Sequence, residues 1–191
     1  MRAAAWVLAL LLMVGCRPKD GLWPLEAGRS WTYSVDTGLT TFVATVKVER
    51  RVPVGGAMGY ELVGPMGVSR LAWDGGRLVA SMLPHTRFNP PLPLAVAGAK
   101  GDARNPFRAA WKGNVEWFGK ARPAAATLEQ TADRVRIGST EVPATLSTVR
   151  LTTEDRNVEL QSWFVDGLGL VRQDQRTDGI LDVRMEYLRG L

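Results

Sequence analysis

From residue 29 onward, apolar and polar side chains alternate with a period of two. In 29–36, Trp31, Tyr33 and Val35 share one face, with Ser30, Thr32 and Ser34 on the other. In 41–50, Phe42, Ala44, Val46 and Val48 lie together, facing away from Thr41, Thr45, Lys47 and Glu49. Successive side chains of an extended chain point to opposite faces, so this pattern predicts half-buried strands. The link Thr37-Gly38-Leu39-Thr40 suits a hairpin turn. The stretch GVSRLAWDGGRLVASML predicts another hairpin. With Gly75-Gly76 as a two-residue turn, Asp74 pairs with Arg77, Trp73 with Leu78, Ala72 with Val79 and Leu71 with Ala80. Apolar pairs then share a face and an opposite-charge pair closes the end.

The stretch FRAAWKGNVEWFG reads as one unbroken strand, with Phe107, Ala109, Trp111, Val115 and Trp117 on one face and Gly113 at a bend or bulge. A turn at Gly113-Asn114 would instead set Trp111 against Glu116. Further strands are predicted at 123–131, 134–137, 142–153, 157–165, 168–175 and 180–188, punctuated by Asp155-Arg156-Asn157, Asp166-Gly167 and Asp178-Gly179. No segment after the N-terminus keeps a helical period over ten residues. Consecutive strands without crossover helices form an antiparallel meander. One region breaks the rhythm: 84–106, PHTRFNPPLPLAVAGAKGDARNP, carries five prolines and predicts a long loop. Such loops are uncommon in compact domains and are often functional. Phe88, Leu92, Leu94 and Val96 would either close over the concave side of a curved sheet or belong to a plain surface crossover.

The N-terminus differs in kind. After a positive start at Arg2, residues Ala3 to Val14 are apolar without a polar face, which argues against a packed amphipathic helix. Twelve residues are too few to cross about 30 Å of hydrocarbon but fit the core of a secretory signal. The only cysteine, Cys16, follows at the switch to Arg17-Pro18-Lys19-Asp20. Met13-Val14-Gly15-Cys16 resembles the lipobox of bacterial lipoproteins, with Met13 in the usual Leu position. The resemblance implies lipidation of the Cys16 thiol, cleavage after Gly15, and a membrane partner through the attached chains; the alternative is an ordinary signal peptide with an incidental cysteine. Two or more acyl chains make such an anchor lasting. The expected organisation is therefore a signal peptide at 1–15, a lipidated tether at 16–27 and a single β domain at 28–191 with the Pro-rich loop at 84–106. Arg17 stands where some bacteria place an Asp for inner-membrane retention, which points to the outer membrane where one exists, with the domain in the periplasm or at the surface.

Three further stretches are similar to small bacterial envelope lipoproteins: LWPLEAGRSWTYSV from Leu22, EVPATLSTVRL from Glu141 and SWFVDGLGLVRQ from Ser162. The resemblance implies an all-β fold, a strongly curved antiparallel sheet or open barrel of about ten to twelve strands, preceded by a cleaved signal helix. It assigns Trp31 and Tyr33 to the core, Gly167 and Gly169 to a turn, and Val171 to packing. Related open barrels of lipoprotein carriers and receptors hold acyl chains under capping helices, for which this sequence has no candidate.

Composition narrows the chemistry. A single cysteine, once lipidated, allows no intramolecular disulfide, so stability must come from a core rich in aromatics; the chain has seven Trp, five Phe and three Tyr, of which Trp6 is lost with the signal. The formal charge of +5 is mild. Its densest part, Lys100 to Arg122, interleaves cations with Phe107, Trp111, Trp117 and Phe118, a mixture that can suit single-stranded nucleic acid. In an exported protein it reads instead as a solvated strand face, or as a contact with anionic headgroups, and no nucleic-acid partner is expected. His85 is the lone histidine and lies in the Pro-rich segment; zinc normally wants three or four Cys or His ligands. Glu154-Asp155 falls at a turn, no calcium-loop spacing occurs, and no glycine-rich phosphate loop opens a helix. No enzyme activity, metal or cofactor is expected. Two functions remain: an interaction or envelope-assembly module, and a binder of an apolar, lipid-like ligand in the concave sheet. For the second, the candidate ligand-binding residues are Phe88, Leu92, Trp111 and Trp117.

Overall fold

The alternating pattern folds into twelve antiparallel strands, described by a computed structural model over residues 21–99 and 101–188. They are β1 (Ser30–Asp36), β2 (Thr41–Val54), β3 (Ala57–Gly64), β4 (Gly67–Asp74), β5 (Arg77–Leu83), β6 (Thr86–Val96), β7 (Phe107–Trp117), β8 (Lys120–Ile137), β9 (Thr140–Thr152), β10 (Asn157–Val165), β11 (Gly169–Thr177) and β12 (Ile180–Tyr187). Each strand pairs with its sequence neighbours, and β1 pairs with β12 through Tyr33–Tyr187 to Asp36–Arg184. The sheet is therefore a closed barrel, where the sequence implied a curved sheet or an open one. Closure removes the two sheet edges that an open meander would leave unpaired. The signal peptide and Cys16 lie outside the described residues.

The β4–β5 hairpin has the predicted register at all four pairs from Asp74–Arg77 to Leu71–Ala80. Gly75 and Gly76 both take positive φ, 57° and 82°, as a two-residue hairpin turn requires. The strand 107–117 is unbroken, and its pairing with β8 runs through Gly113 without a register shift. Gly113 marks a close approach instead of a bulge: a Cβ there would lie 2.5 Å from the Asn89 carbonyl oxygen and 2.6 Å from the Trp111 ring. The segments 123–131 and 134–137 form one strand, β8, because Ala132 and Asp133 continue the ladder opposite Thr145 and Ala144. Strand β3 has no counterpart among the predicted elements.

The Pro-rich segment is largely a strand, which corrects the expected loop. Residues 86–96 form β6, paired with β5 along its length through register shifts. On the other side, β6 pairs with β7 only from Thr86 to Asn89. Beyond Asn89, Pro90, Pro91 and Pro93 have no N–H to offer a second ladder. Two inward-pointing polar side chains replace the missing partner. Gln130 accepts from the Val96 N–H at 2.7 Å and donates to the Val96 and Ala99 carbonyls, both at 2.8 Å, while the Ser147 hydroxyl donates to the Leu94 carbonyl. Both residues are buried. Gln130→Leu is expected to lower stability by about 1–2 kcal/mol by stranding these backbone groups, read as a reduced denaturant midpoint.

Inside and outside differ sharply. Trp31, Tyr33, Leu62, Leu71, Leu128, Val149, Leu160 and Phe164 fill the inner face. The outer face carries carboxylates each gripped by two arginines: Glu61 by Arg50 and Arg70 and Glu129 by Arg108 and Arg150, all from neighbouring strands, and Asp174 by Arg172 of its own strand and Arg184 of β12. A membrane-spanning barrel has the reverse pattern, with an apolar outer band.

Candidate functional site: a cavity closed at one end

The six hairpin turns at 37–40, 65–66, 84–85, 118–119, 153–156 and 178–179 lie at one end of the barrel, and the N-terminal segment enters at the other. That segment was expected to be tether as far as residue 27. The structure corrects this: Leu22, Trp23 and Leu25 are buried in the core. Three large apolar side chains within four residues bury more surface than a solvated linker can leave exposed. Trp23 meets Trp31 edge-on at 5.8 Å and lies 5.8 Å from Phe164. Its carbonyl accepts the Trp73 indole N–H at 2.9 Å, and the Gly167 N–H donates to the Gly21 carbonyl. Gly169, with φ 102°, packs so tightly on the Trp23 ring that any Cβ would overlap it. The Trp23 indole N–H itself has no partner among the described residues.

Above this plug the barrel is not filled. A cavity of about 290 Å³ runs from Trp23 to the turns of the open end. One wall is apolar, formed by Leu62, Leu71, Phe88, Leu92, Leu94, Val149 and Leu151. Across from it β11 turns Gln173, Gln175 and Thr177 inward. A bulge opposite Trp163 and Phe164 sets this orientation: it lets Leu170 face the core, as do Gln173 and Gln175, while Asp174 faces outward. His85, at φ 62°, and Arg156 stand at the mouth. The Arg156 guanidinium lies 4.8 Å over the Trp117 ring, and the Trp117 indole N–H donates to Thr86 Oγ1 at 2.8 Å. Tyr33 also reaches the cavity wall; burial first, and then the nearby Tyr187, push its phenol well above the ordinary range, and its hydroxyl donates to the Leu170 carbonyl at 2.9 Å. It is a structural phenol and stays protonated.

Of the four residues proposed from sequence, Phe88, Leu92 and Trp117 line the cavity. Trp111 does not. It packs edge-on against Phe88 at 6.3 Å and donates its indole N–H to the Pro90 carbonyl at 3.2 Å, holding β6 where it leaves β7. Sequence reasoning missed Trp23 and Arg156. The first sat in a presumed tether; the second sat in a turn triplet with no sign of facing the interior. No group of three or more His, Cys, Asp and Glu side chains suited to a metal occurs among the described residues.

The fold is shared with a solved structure. A candidate lipoprotein from Parabacteroides distasonis aligns with a TM-score of 0.51 at 10% identity, covering 87% of this chain and 96% of that one. A candidate exported protein with a YmcC-like fold from Bacteroides fragilis aligns with a TM-score of 0.48 at 12% identity, over 88% and 97% of the two chains. The hypothetical lipoprotein YmcC from Escherichia coli gives 0.46 at 14%, over 85% and 87%. At such identities the likeness concerns architecture alone. No family model and no curated protein sequence matches the chain.

Proposed function

We propose that this chain is an exported, non-enzymatic envelope protein, anchored through a lipidated Cys16 at the outer membrane where the organism has one, that binds an apolar ligand inside its barrel. The observation that carries this reading is the cavity, plugged at one end and walled mainly by aliphatic and aromatic side chains. Its volume, about 290 Å³, sits at the lower edge of the roughly 300–1,000 Å³ usual for small-molecule pockets. The lipobox supports the anchor, and the P. distasonis protein of the same fold is itself described as a candidate lipoprotein. The interaction-module reading keeps one observation in its favour: Leu39, Phe118 and Ile180, all highly exposed, sit at turns around the open end. They form a rim for whatever delivers or receives the ligand.

The test is binding of an apolar fluorescent dye, N-phenyl-1-naphthylamine, to the exported chain (residues 16–191, Cys16→Ser). The native chain is expected to enhance its emission. Leu160→Trp and Val183→Trp, which fill the cavity from β10 and β12 on either side of β11, are expected to weaken binding roughly tenfold or more. Undiminished binding in both folded variants would remove the cavity as the site.

A further inference from the structure

The cavity is asymmetric in charge as well as in polarity. Arg156 and His85 are its only basic lining residues, and no carboxylate lines it among the described residues. Of the other fifteen described arginines, nine meet a carboxylate: Arg50, Arg70, Arg108, Arg122, Arg134, Arg150, Arg172, Arg176 and Arg184 each stand within ion-pair distance of an Asp or Glu. Arg29, Arg51, Arg77, Arg87, Arg104 and Arg136 do not, but unlike Arg156 none of those six lines the cavity. Arg156 has no ion pair among the described residues, although the neighbouring Asp155 is taken up by Arg122. Its side chain lies instead over Trp117, whose ring is fixed by the bond to Thr86. A guanidinium held over an aromatic ring by the cation–π attraction still has N–H donors for a carboxylate or phosphate, which it can grip with two parallel hydrogen bonds.

The polar stripe leads to the same place. Val158 pairs with Thr177 one step inside Arg156, so Gln173, Gln175 and Thr177 of β11 form a line from mid-barrel to the mouth. Opposite them stand Phe88, Leu92 and Leu94, with Trp23 at the base. Gln173 donates to Ser162 Oγ at 3.1 Å and Thr177 to the Asp182 carboxylate, but a wholly apolar guest would leave the Gln175 amide facing hydrocarbon, at a desolvation cost. An amphiphile satisfies both walls.

Resting on the cavity reading above, we infer that the ligand is a single-chain amphiphile with an anionic head, a carboxylate or phosphate, held at the mouth by Arg156 with its tail directed toward Trp23. At about 30 Å³ for a methylene-sized unit, comparable to the share of one water in the liquid, the space accommodates roughly ten carbons. Decanoate and 1-decanol are therefore matched probes, alike in tail and different in charge; decyl phosphate is the second anion.

Each is titrated into the exported chain (residues 16–191, Cys16→Ser) by displacement of the naphthylamine dye. Decanoate or decyl phosphate is expected to bind roughly tenfold or more tightly than decanol. Arg156→Gln is expected to reduce the anions to the level at which decanol binds the same variant, and Arg156→Lys to restore part of the preference. Which of the two anions binds more tightly identifies the head. Equal binding of decanol and both anions to the native chain would overturn the assignment while leaving the apolar-ligand reading intact. A preference that survives Arg156→Gln would also overturn it. Binding of none of the three probes or the dye would overturn both.

Discussion

Trp23→Ala is expected to lower the unfolding free energy by about 3–5 kcal/mol, the range for truncating a buried large aromatic. The indole is only 6% exposed, touches two further aromatics and lies against a glycine that has no room for a side chain. No nearby group can collapse into the space it would leave, because the cavity already adjoins it. Urea unfolding monitored by far-ultraviolet circular dichroism measures the loss as a lower midpoint at unchanged slope. Trp23→Phe supplies the control. Since the indole N–H has no acceptor among the described residues, phenylalanine gives up area but no hydrogen bond, and the expected loss stays near 1 kcal/mol. A loss below 1 kcal/mol for the alanine variant would mean that the segment before β1 does not belong to the core.

The second large effect is electrostatic. Asp174 faces outward on β11, yet it is 1% exposed because the side chains of Arg172 and Arg184 cover it, each forming two hydrogen bonds of 2.9–3.2 Å, with Arg176 3.7 Å away. Burial alone would raise its pKa; the bonds from Arg172 and Arg184 outweigh burial and hold it below the ordinary range. Asp174→Ala would leave three guanidinium groups facing one another without a counter-ion. Breaking a buried pair costs about 3–5 kcal/mol, and these arginines are partly hydrated, so about 3 kcal/mol is expected. The same residue sets a pH dependence. A carboxylate with a depressed folded pKa contributes stability that is fully present above its unfolded value, near 4, and disappears as pH falls through the lower folded value. Glu61, bonded first by Arg50, and Glu129, bonded first by Arg150, are depressed too and act in the same direction. The native barrel should therefore lose stability steeply below about pH 4. In Asp174→Ala that slope should be shallower, and an identical slope in the two proteins would show that Asp174 titrates normally.

Much of the barrel was legible because alternation is a local property. The Gly75-Gly76 hairpin declared itself through turn chemistry and matched faces, and the continuity of 107–117 followed from parity alone. Strand β3 escaped because its outward face holds Gly59 and the buried carboxylate of Glu61, satisfied by Arg50 and Arg70 from the strands on either side. Strand β6 escaped because its prolines forbid a ladder on one side, and the substitutes, Gln130 and Ser147, lie 34 and 53 residues from the atoms they serve. Closure depends on pairing between the first and last strands, which no local pattern encodes. The cavity was partly legible for the same reason: Phe88, Leu92 and Trp117 fall on the inner parity, whereas Arg156 reaches the mouth from an exposed turn.

The position of the plug has a consequence for orientation. Gly21 lies at the blind end, and five residue steps reach at most about 18 Å, so any tie at Cys16 holds that end against its bilayer. The opening then looks outward from the surface that carries the molecule. A guest arriving or leaving would exchange with the surrounding space or with a body opposite, and the leaflet to which the chain is moored would lie behind the closed base of the cup.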